Sequence, residues 1–186
     1  MRHEKRLGPT SRLWERWYLV PADHPRVELR AVLRALDALD GEAVGLLLDL
    51  KGVSPRLARA VLDEVGDRRP LTVSTKSWWL LGRFARAGGI RTFRSAGNRA
   101  ELALLSWVPS RVRPDGFALH RRLVTERRVS RLHRRVPLVW AWGAGDRVEA
   151  DRLIAAGVDG LILDDVELID ALRRRRRPER PTQARA

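Results

Sequence analysis

Two residues of opposite charge, Asp49 and Lys51, stand at the end of an apolar segment that we predict to be a strand over 44–50. Successive side chains of a strand point to opposite faces, so Asp49 and Lys51 share one face, and Leu48 and Leu50 share the other. A carboxylate and an ammonium group therefore project side by side from the carboxyl end of a buried strand. The pair is either a structural ion pair or, where the strand ends at the mouth of a barrel, part of a functional site.

Aromatic and acidic residues end two further apolar runs within 137–165, a region whose pattern predicts a strand, a helix and a second strand. The first run ends in Trp140 and Trp142, and the second ends in Asp164 and Asp165. Ligands of α/β proteins bind at the edge where such strands finish. This edge is therefore a candidate binding site.

The elements that must position these residues alternate between strand and helix. Strands are predicted near residues 46, 72, 91, 138 and 161, with helices over 27–39, 54–65, 77–87, 99–107 and 124–133. The helix between the last two strands is expected to place Val148, Leu153 and Ile154 on its apolar face, and residues 1–25 are expected to form a loop with an aromatic cluster. Such alternation indicates an α/β fold with a parallel sheet, either open or closed into a barrel. No glycine-rich phosphate loop follows a strand, which disfavours the nucleotide-binding versions.

The composition is that of a globular protein with an unusual basic excess. The chain has 186 residues, no cysteine and a formal net charge of +14, and only Lys5, Lys51 and Lys76 among its 37 basic residues are lysines. Disulfides and thiolate metal sites are thereby excluded. The arginines are scattered and accompany no nucleic-acid-binding motif, so we expect no specific nucleic-acid partner.

The organisation along the chain predicts one domain over 1–172, followed by a basic disordered tail over 173–186 that begins with Arg173–Arg177. No apolar run reaches the length of a transmembrane span, and residues 1–11 lack the apolar core of a signal peptide. The sequence therefore predicts a cytoplasmic protein with no transmembrane segment.

The chain resembles the glycerophosphodiester phosphodiesterase family in four segments that follow the family's order and spacing: LLLDLKG, VSTKSWWLL, LVWAWGAGD and AGVDGLILDD. The family pattern reads apolar-Glu-x-Lys, Ser-Ser-Phe, Val-x-Trp-Thr-Val-Asn and, after a helix, Gly-Val-Asp-Gly-Ile-Ile-Thr-Asp. The similarity extends from the first residues to about Leu172. It implies a (β/α)8 TIM-barrel-like fold, truncated at its N-terminus to about six strands.

The resemblance also implies an activity, the hydrolysis of small-molecule glycerophosphodiesters to glycerol phosphate and an alcohol with a divalent metal, Mg²⁺ or Ca²⁺. Asp49 stands where the family has a metal-binding glutamate, and Lys51 stands where it has a lysine near the phosphate. Trp140 matches the family's pocket tryptophan. The opening of the chain is similar to the end of the family's Val-Val-x-His-Asp strand, which makes His3 a catalytic histidine.

Several family segments are missing from this chain: His-Arg-Gly, Pro-Glu-Asn-Thr and Glu-x-Asp, which supply a second histidine, an arginine and two metal carboxylates. Two hypotheses follow. Either the chain is a phosphodiesterase of this family, recorded from a late start codon or genuinely shortened, whose activity in the shortened form is left open, or it is a catalytically dead barrel fragment that binds polyanions. In either case the edges of an unclosed barrel are expected to favour self-association.

Overall fold

The structure is a computed structural model that divides the chain into two compact units. Unit 1 comprises residues 1–95 and 110–114, and unit 2 comprises 96–109 and 115–186. The described residues are 4–6, 12–15, 18–21, 27–38, 45–51, 54–66, 69–107 and 113–176.

Unit 1 begins with a small antiparallel sheet of three strands, β1 (Glu4–Arg6), β2 (Arg12–Glu15) and β3 (Tyr18–Pro21), in that spatial order. The register pairs Lys5 with Trp14, and Trp14 with Leu19. The predicted loop over residues 1–25 is therefore wrong at these three segments. Strands of three or four residues are too short to show a period in the sequence.

The remainder of unit 1 alternates helices with parallel strands. Its elements are α1 (Leu29–Asp37), β4 (Leu46–Leu50), α2 (Pro55–Val65), β5 (Leu71–Thr75), a 3-10 turn (Trp78–Leu80), α3 (Leu81–Ala87) and β6 (Arg91–Ala96). β5 pairs in parallel with both β4 and β6. The start of α2 is as predicted, because the Ser54 side chain accepts a hydrogen bond from the Arg56 N–H and Pro55 occupies the first turn.

One face of β4 and β5 packs against the helices of unit 1. Leu48, Leu50 and Val73 lie in a buried cluster with Val61 of α2 and Phe84 of α3. Each of these side chains is at most 7% exposed, so this face of the sheet is the helix side. The opposite face carries the residues between them in sequence.

Unit 2 repeats this arrangement. Its elements are α4 (Arg99–Trp107), β7 (Gly116–His120), a 3-10 turn (Arg121–Leu123), α5 (Glu126–His133), β8 (Leu138–Trp142), α6 (Arg147–Ala155), β9 (Gly160–Ile162) and α7 (Val166–Arg176). β8 pairs in parallel with β7 and with β9. Leu119 and Ala141 face a buried cluster with Val129 of α5 and Leu153 of α6. The predicted α/β class with parallel strands is thus confirmed.

Two details of unit 2 differ from the sequence prediction. In α6 the buried side chains are Ala150 and Leu153, whereas Val148 is 80% and Ile154 is 37% exposed. A small alanine fits where the helix approaches the sheet, and the two larger residues face outward. α7 continues to Arg176, four residues beyond Leu172, and the rest of the predicted disordered tail, residues 177–186, lies outside the described residues.

In the part of the chain that the structure describes, no helix combines the length and the apolar character needed to cross a membrane.

Candidate functional site

The first predicted pair lies at the carboxyl end of β4 in unit 1. Lys51 Nζ donates a hydrogen bond to Asp49 Oδ2. Leu48 and Leu50 are buried on the helix side, so Asp49 lies on the opposite face, as predicted. The side chains of Lys51 and Asp49 are 29% and 42% exposed, which leaves both groups accessible to a ligand.

Residues of the neighbouring strands continue this face of unit 1. The register places Asp49 beside Ser74, and Ser74 beside Phe93. Beyond Ser74 the chain turns sharply, and Thr75 fixes the turn: its Oγ1 donates to the Leu50 carbonyl at 2.8 Å and accepts from the Ser77 N–H at 3.0 Å. The carboxyl ends of β4 and β5 are therefore joined by a side chain as well as by the backbone ladder.

Unit 1 also buries a guanidinium group. Arg94 is 4% exposed, and its Nε and Nη2 have no hydrogen-bond partner in the described structure. Its Cζ lies 5.4 Å from the centre of the Trp78 ring, and burial lowers its pKa. The register aligns Arg94 with Thr75, and Thr75 with Leu50, which places Arg94 on the helix side and away from the face of Asp49.

The predicted Trp140 lies on β8 in unit 2. It is half-buried and in register with Ala118 on one side and Gly160 on the other. A Cβ atom at Gly160 would lie 2.9 Å from both Cδ1 and Nε1 of Trp140, so the indole lies directly over the glycine. The predicted placement of Trp140 beside Asp49 and Lys51 stays a prediction.

Sequence reasoning missed His120, the last residue of β7. His120 is in register with Trp142, and the two rings meet edge to face with centres 4.6 Å apart and planes at 76°. Leu119 and Ala141 face the core, and each is next in sequence to His120 and Trp140, respectively. Since successive side chains of a strand point to opposite faces, His120 and Trp140 share the face opposite the helices. The alternation used for Asp49 would have found His120 if it had been applied to β7.

Several contacts fix the His120 ring. Its Nδ1 accepts a hydrogen bond from the Arg122 N–H at 3.3 Å. Gly143 has φ +86°, and a Cβ atom there would lie 3.3 Å from Cδ2 and Nε2 of the ring. Burial, followed by the charges of Arg122 and Arg121, lowers the pKa of His120, against a smaller opposing effect of Glu149.

The turn that follows His120 is held by α6. Arg152 donates to the carbonyls of Val124 and Arg121 at 3.2 and 3.1 Å. The same guanidinium donates to both carboxylate oxygens of Glu149, each at 3.1 Å, and this bond lowers the pKa of Glu149. Glu149, the acidic residue whose charge acts on His120, is therefore already paired with an arginine.

Two acidic residues follow β9, and one of them, Asp165, has a structural role. Asp165 Oδ1 accepts hydrogen bonds from the N–H groups of Glu167 and Leu168, at 2.9 and 3.2 Å. These bonds cap the first turn of α7. Asp164 is exposed.

The described residues do not by themselves form a site for a divalent metal. Their histidine and acidic side chains form no group of three that could hold an ion. Asp49 Oδ2 is engaged by Lys51, and a single carboxylate competes poorly with the hydration shell of Mg²⁺ or Ca²⁺. His3 lies outside the described residues, so its predicted catalytic role stays a prediction.

Four arginines of unit 2 lie at one surface of α5. An open groove of about 720 Å³ runs along α5, and it is lined by Thr125, Arg127, Arg128, Ser130, Arg131 and Arg134. Arg128 also donates to the Leu123 carbonyl. Four guanidinium groups on one helix face make this groove attractive to anions.

Comparison with protein families gives one match, the model of the Glycerophosphoryl diester phosphodiesterase family, over residues 47–168. This range begins within β4, two residues before Asp49, and ends in α7. It contains Lys51, Trp140 and His120. No curated protein matches the chain.

Two solved structures share the fold. One is a protein from Silicibacter pomeroyi assigned as a glycerophosphoryl diester phosphodiesterase, with 21% identity, a TM-score of 0.62 and 77% of this chain covered. The other is a phosphodiesterase from Oleispira antarctica in complex with the product sn-glycerol-3-phosphate, with 20% identity, a TM-score of 0.56 and 70% covered. The chain spans 56% of the length of each. The predicted barrel-like fold class with about six parallel strands is confirmed.

Proposed function

The chain belongs to the glycerophosphoryl diester phosphodiesterase family, and from this membership we propose that it hydrolyses glycerophosphodiesters to glycerol phosphate and an alcohol. The observation that carries the proposal is the Asp49–Lys51 pair, accessible at the carboxyl end of β4, within the stretch that matches the family. Enzymes built on parallel βα units use this end of the strands for chemistry.

Lys51 is the group that we assign to the phosphate. Negative charge develops on the non-bridging oxygens as a phosphodiester is attacked, and an ammonium group fixed nearby stabilises it. Asp49 holds Lys51 in place by its hydrogen bond. Trp140 is assigned to the wall of the substrate pocket, and His3 to proton transfer.

A divalent metal, Mg²⁺ or Ca²⁺, is expected from the family, and Asp49 is the residue assigned to it. The described residues supply no further ligands, so no step of the proposed reaction is derived through a metal. The assay is therefore run with and without a chelator, and chelator-sensitive turnover supports the metal.

The test compares Lys51→Met with a matched cation on the same unit. Arg59 pairs with Asp63 on α2 and is 83% exposed. The Arg59→Met substitution therefore removes a positive charge that does not lie at the strand ends. We expect Lys51→Met to lower kcat/KM for glycerol phosphate release by about 10²-fold or more, and Arg59→Met to leave it unchanged. Equal activity of the native chain and Lys51→Met would contradict the assignment of Lys51.

A second candidate function, the binding of polyanions without hydrolysis, is favoured by the arginine groove of α5. It predicts no turnover but salt-sensitive binding of a polyanion such as heparin, because clustered arginines act mainly through counterion release. Arg127→Gln combined with Arg131→Gln should lower that affinity and reduce its salt dependence. Turnover together with unchanged heparin binding in the double variant would reject this candidate. Cytoplasmic location and self-association stay predictions.

A further inference from the structure

We propose that His120 is a ligand-contacting residue of unit 2, which donates a hydrogen bond from Nε2 to an oxygen of the bound phosphoester. The inference rests on the proposed function, because it takes a phosphoester as the ligand. It assigns a role to a residue that lies outside the motifs by which the sequence resembles its family.

The position of His120 is the first argument. It is the last residue of β7, and it lies on the face opposite the helices, which it shares with Trp140. The carboxyl ends of parallel strands are where α/β proteins bind their ligands. Asp165, which follows β9, is by contrast occupied by its hydrogen bonds to the first turn of α7.

The protonation state of the ring is the second argument. Because Nδ1 accepts the Arg122 N–H, a neutral ring carries its proton on Nε2. Burial and the neighbouring arginines lower the pKa of His120, which keeps the ring neutral at pH 7. A neutral imidazole with this tautomer presents one N–H donor on its outer edge.

The space around Nε2 is the third argument. A Cβ atom at position 143 would approach Nε2 to 3.3 Å, and the glycine found there keeps that space free of a side chain of its own. Trp142 supports the ring from the side, and Arg152 fixes the turn that carries Arg122. The donor is thus held in place before a ligand arrives, so its hydrogen bond costs little reorganisation.

The charge around the ring selects an anion. Arg121 and Arg122 follow His120 directly, and Glu149 is paired with Arg152 and with Arg121, whose Nη1 lies 3.6 Å from Glu149 Oε1. The charge of Arg122, which besides burial lowers the pKa of His120, therefore makes the surroundings of the ring positive. An ester phosphate, with its negatively charged oxygens, fits this environment better than a neutral polyol.

Two variants separate a ligand contact from a structural role. His120→Asn keeps an acceptor close to the position of Nδ1, which preserves the bond from the Arg122 N–H, but it removes the Nε2 donor. His120→Gln places an amide N–H close to the position of Nε2 and loses the inner acceptor. A purely structural histidine would tolerate Asn better than Gln, and a ligand-contacting one would show the reverse order.

The experiment measures binding of sn-glycerol 3-phosphate to the full chain by calorimetry, with histidine side-chain NMR as a second readout. We expect ligand addition to shift the His120 ring signals, identified by their loss in His120→Asn. We expect His120→Asn to raise Kd at least about tenfold, and His120→Gln to remain within about threefold of the native Kd.

The outcomes distinguish this inference from the proposed function. If Lys51→Met weakens binding, while His120→Asn leaves Kd unchanged and the ligand does not shift the His120 ring signals of the native chain, His120 is structural and only this inference is overturned. If the native chain binds no sn-glycerol 3-phosphate, both the inference and the proposed function are overturned. A His120→Gln variant as weak as His120→Asn would also reject a contact through Nε2.

Discussion

The carboxyl ends of the strands are built differently in the two units. In unit 1 the candidate residues are a charged pair, Asp49 and Lys51, which touch each other and are otherwise exposed. In unit 2 they are rings: Trp140 lies over a glycine, and His120 is bounded by Trp142 and a second glycine. The candidate residues of unit 1 are held together by charge, and those of unit 2 are held by packing.

This difference affects how well each end is positioned before a ligand binds. Exposed ion pairs contribute about 0–1 kcal/mol to stability, so the Asp49–Lys51 geometry can change at little cost. In a closely packed environment a small change of shape costs much free energy, so the rings of unit 2 have few alternative positions. We therefore regard the strand ends of unit 2 as preorganised, and those of unit 1 as adaptable.

The largest expected effect comes from Gly160→Ala. Its new Cβ would lie 2.9 Å from the Trp140 indole, so the ring or the strand must move, at a cost of about 1–3 kcal/mol. Gly45→Ala is the control, because its Cβ would meet nothing closer than 3.8 Å. Urea denaturation followed by circular dichroism measures the stability of both variants. Equal stability of the two variants would show that Trp140 is not fixed by packing.

A smaller effect is expected from Gly143→Ala, measured against Gly157→Ala. Both glycines have φ +86°, so both variants carry the same kind of backbone strain, about 1–2 kcal/mol. Only the Cβ at position 143 would press on His120, at 3.3 Å, whereas that at 157 would be 3.8 Å from Val129 Cγ1. We expect Gly143→Ala to be the less stable and to shift the His120 NMR signals. Unchanged His120 signals in Gly143→Ala would contradict the view that this glycine leaves room for the ring.

The difference between the two units also explains which residues could be predicted from the sequence. Asp49 and Lys51 were placed correctly because alternation within one strand decides their face. The start of α2 was placed correctly because Ser54 and Pro55 are local signals. The environment of His120 depends on the register of β7 with β8 and on a glycine 23 residues away, and neither is encoded in a local pattern.

The errors have physical reasons of the same kind. The helical period of α6 does not distinguish which of two adjacent apolar stripes faces the sheet, and packing chose Ala150 over Val148. The burial of Arg94, for which no prediction was made, follows from register in the same way, because its alignment with Thr75 places it on the helix side. Local signals thus fixed the elements, whereas contacts between elements decided the sites.

The smallest expected effect comes from Asp49→Asn, which tests whether the ion pair of unit 1 is as weak as its exposure indicates. The substitution preserves shape and removes the charge opposite Lys51, which is 29% exposed and can turn toward water. We expect the free energy of unfolding to change by less than about 0.5–1 kcal/mol, and no more than in Asp63→Asn, which breaks the exposed Arg59–Asp63 pair at 3.8 Å. Urea denaturation of the two variants gives this comparison directly. A loss well above 1 kcal/mol for Asp49→Asn alone would mean that Asp49 and Lys51 form a rigid element. The strand end of unit 1 would then be as preorganised as that of unit 2, and the distinction between an adaptable and a preorganised strand end would have to be abandoned.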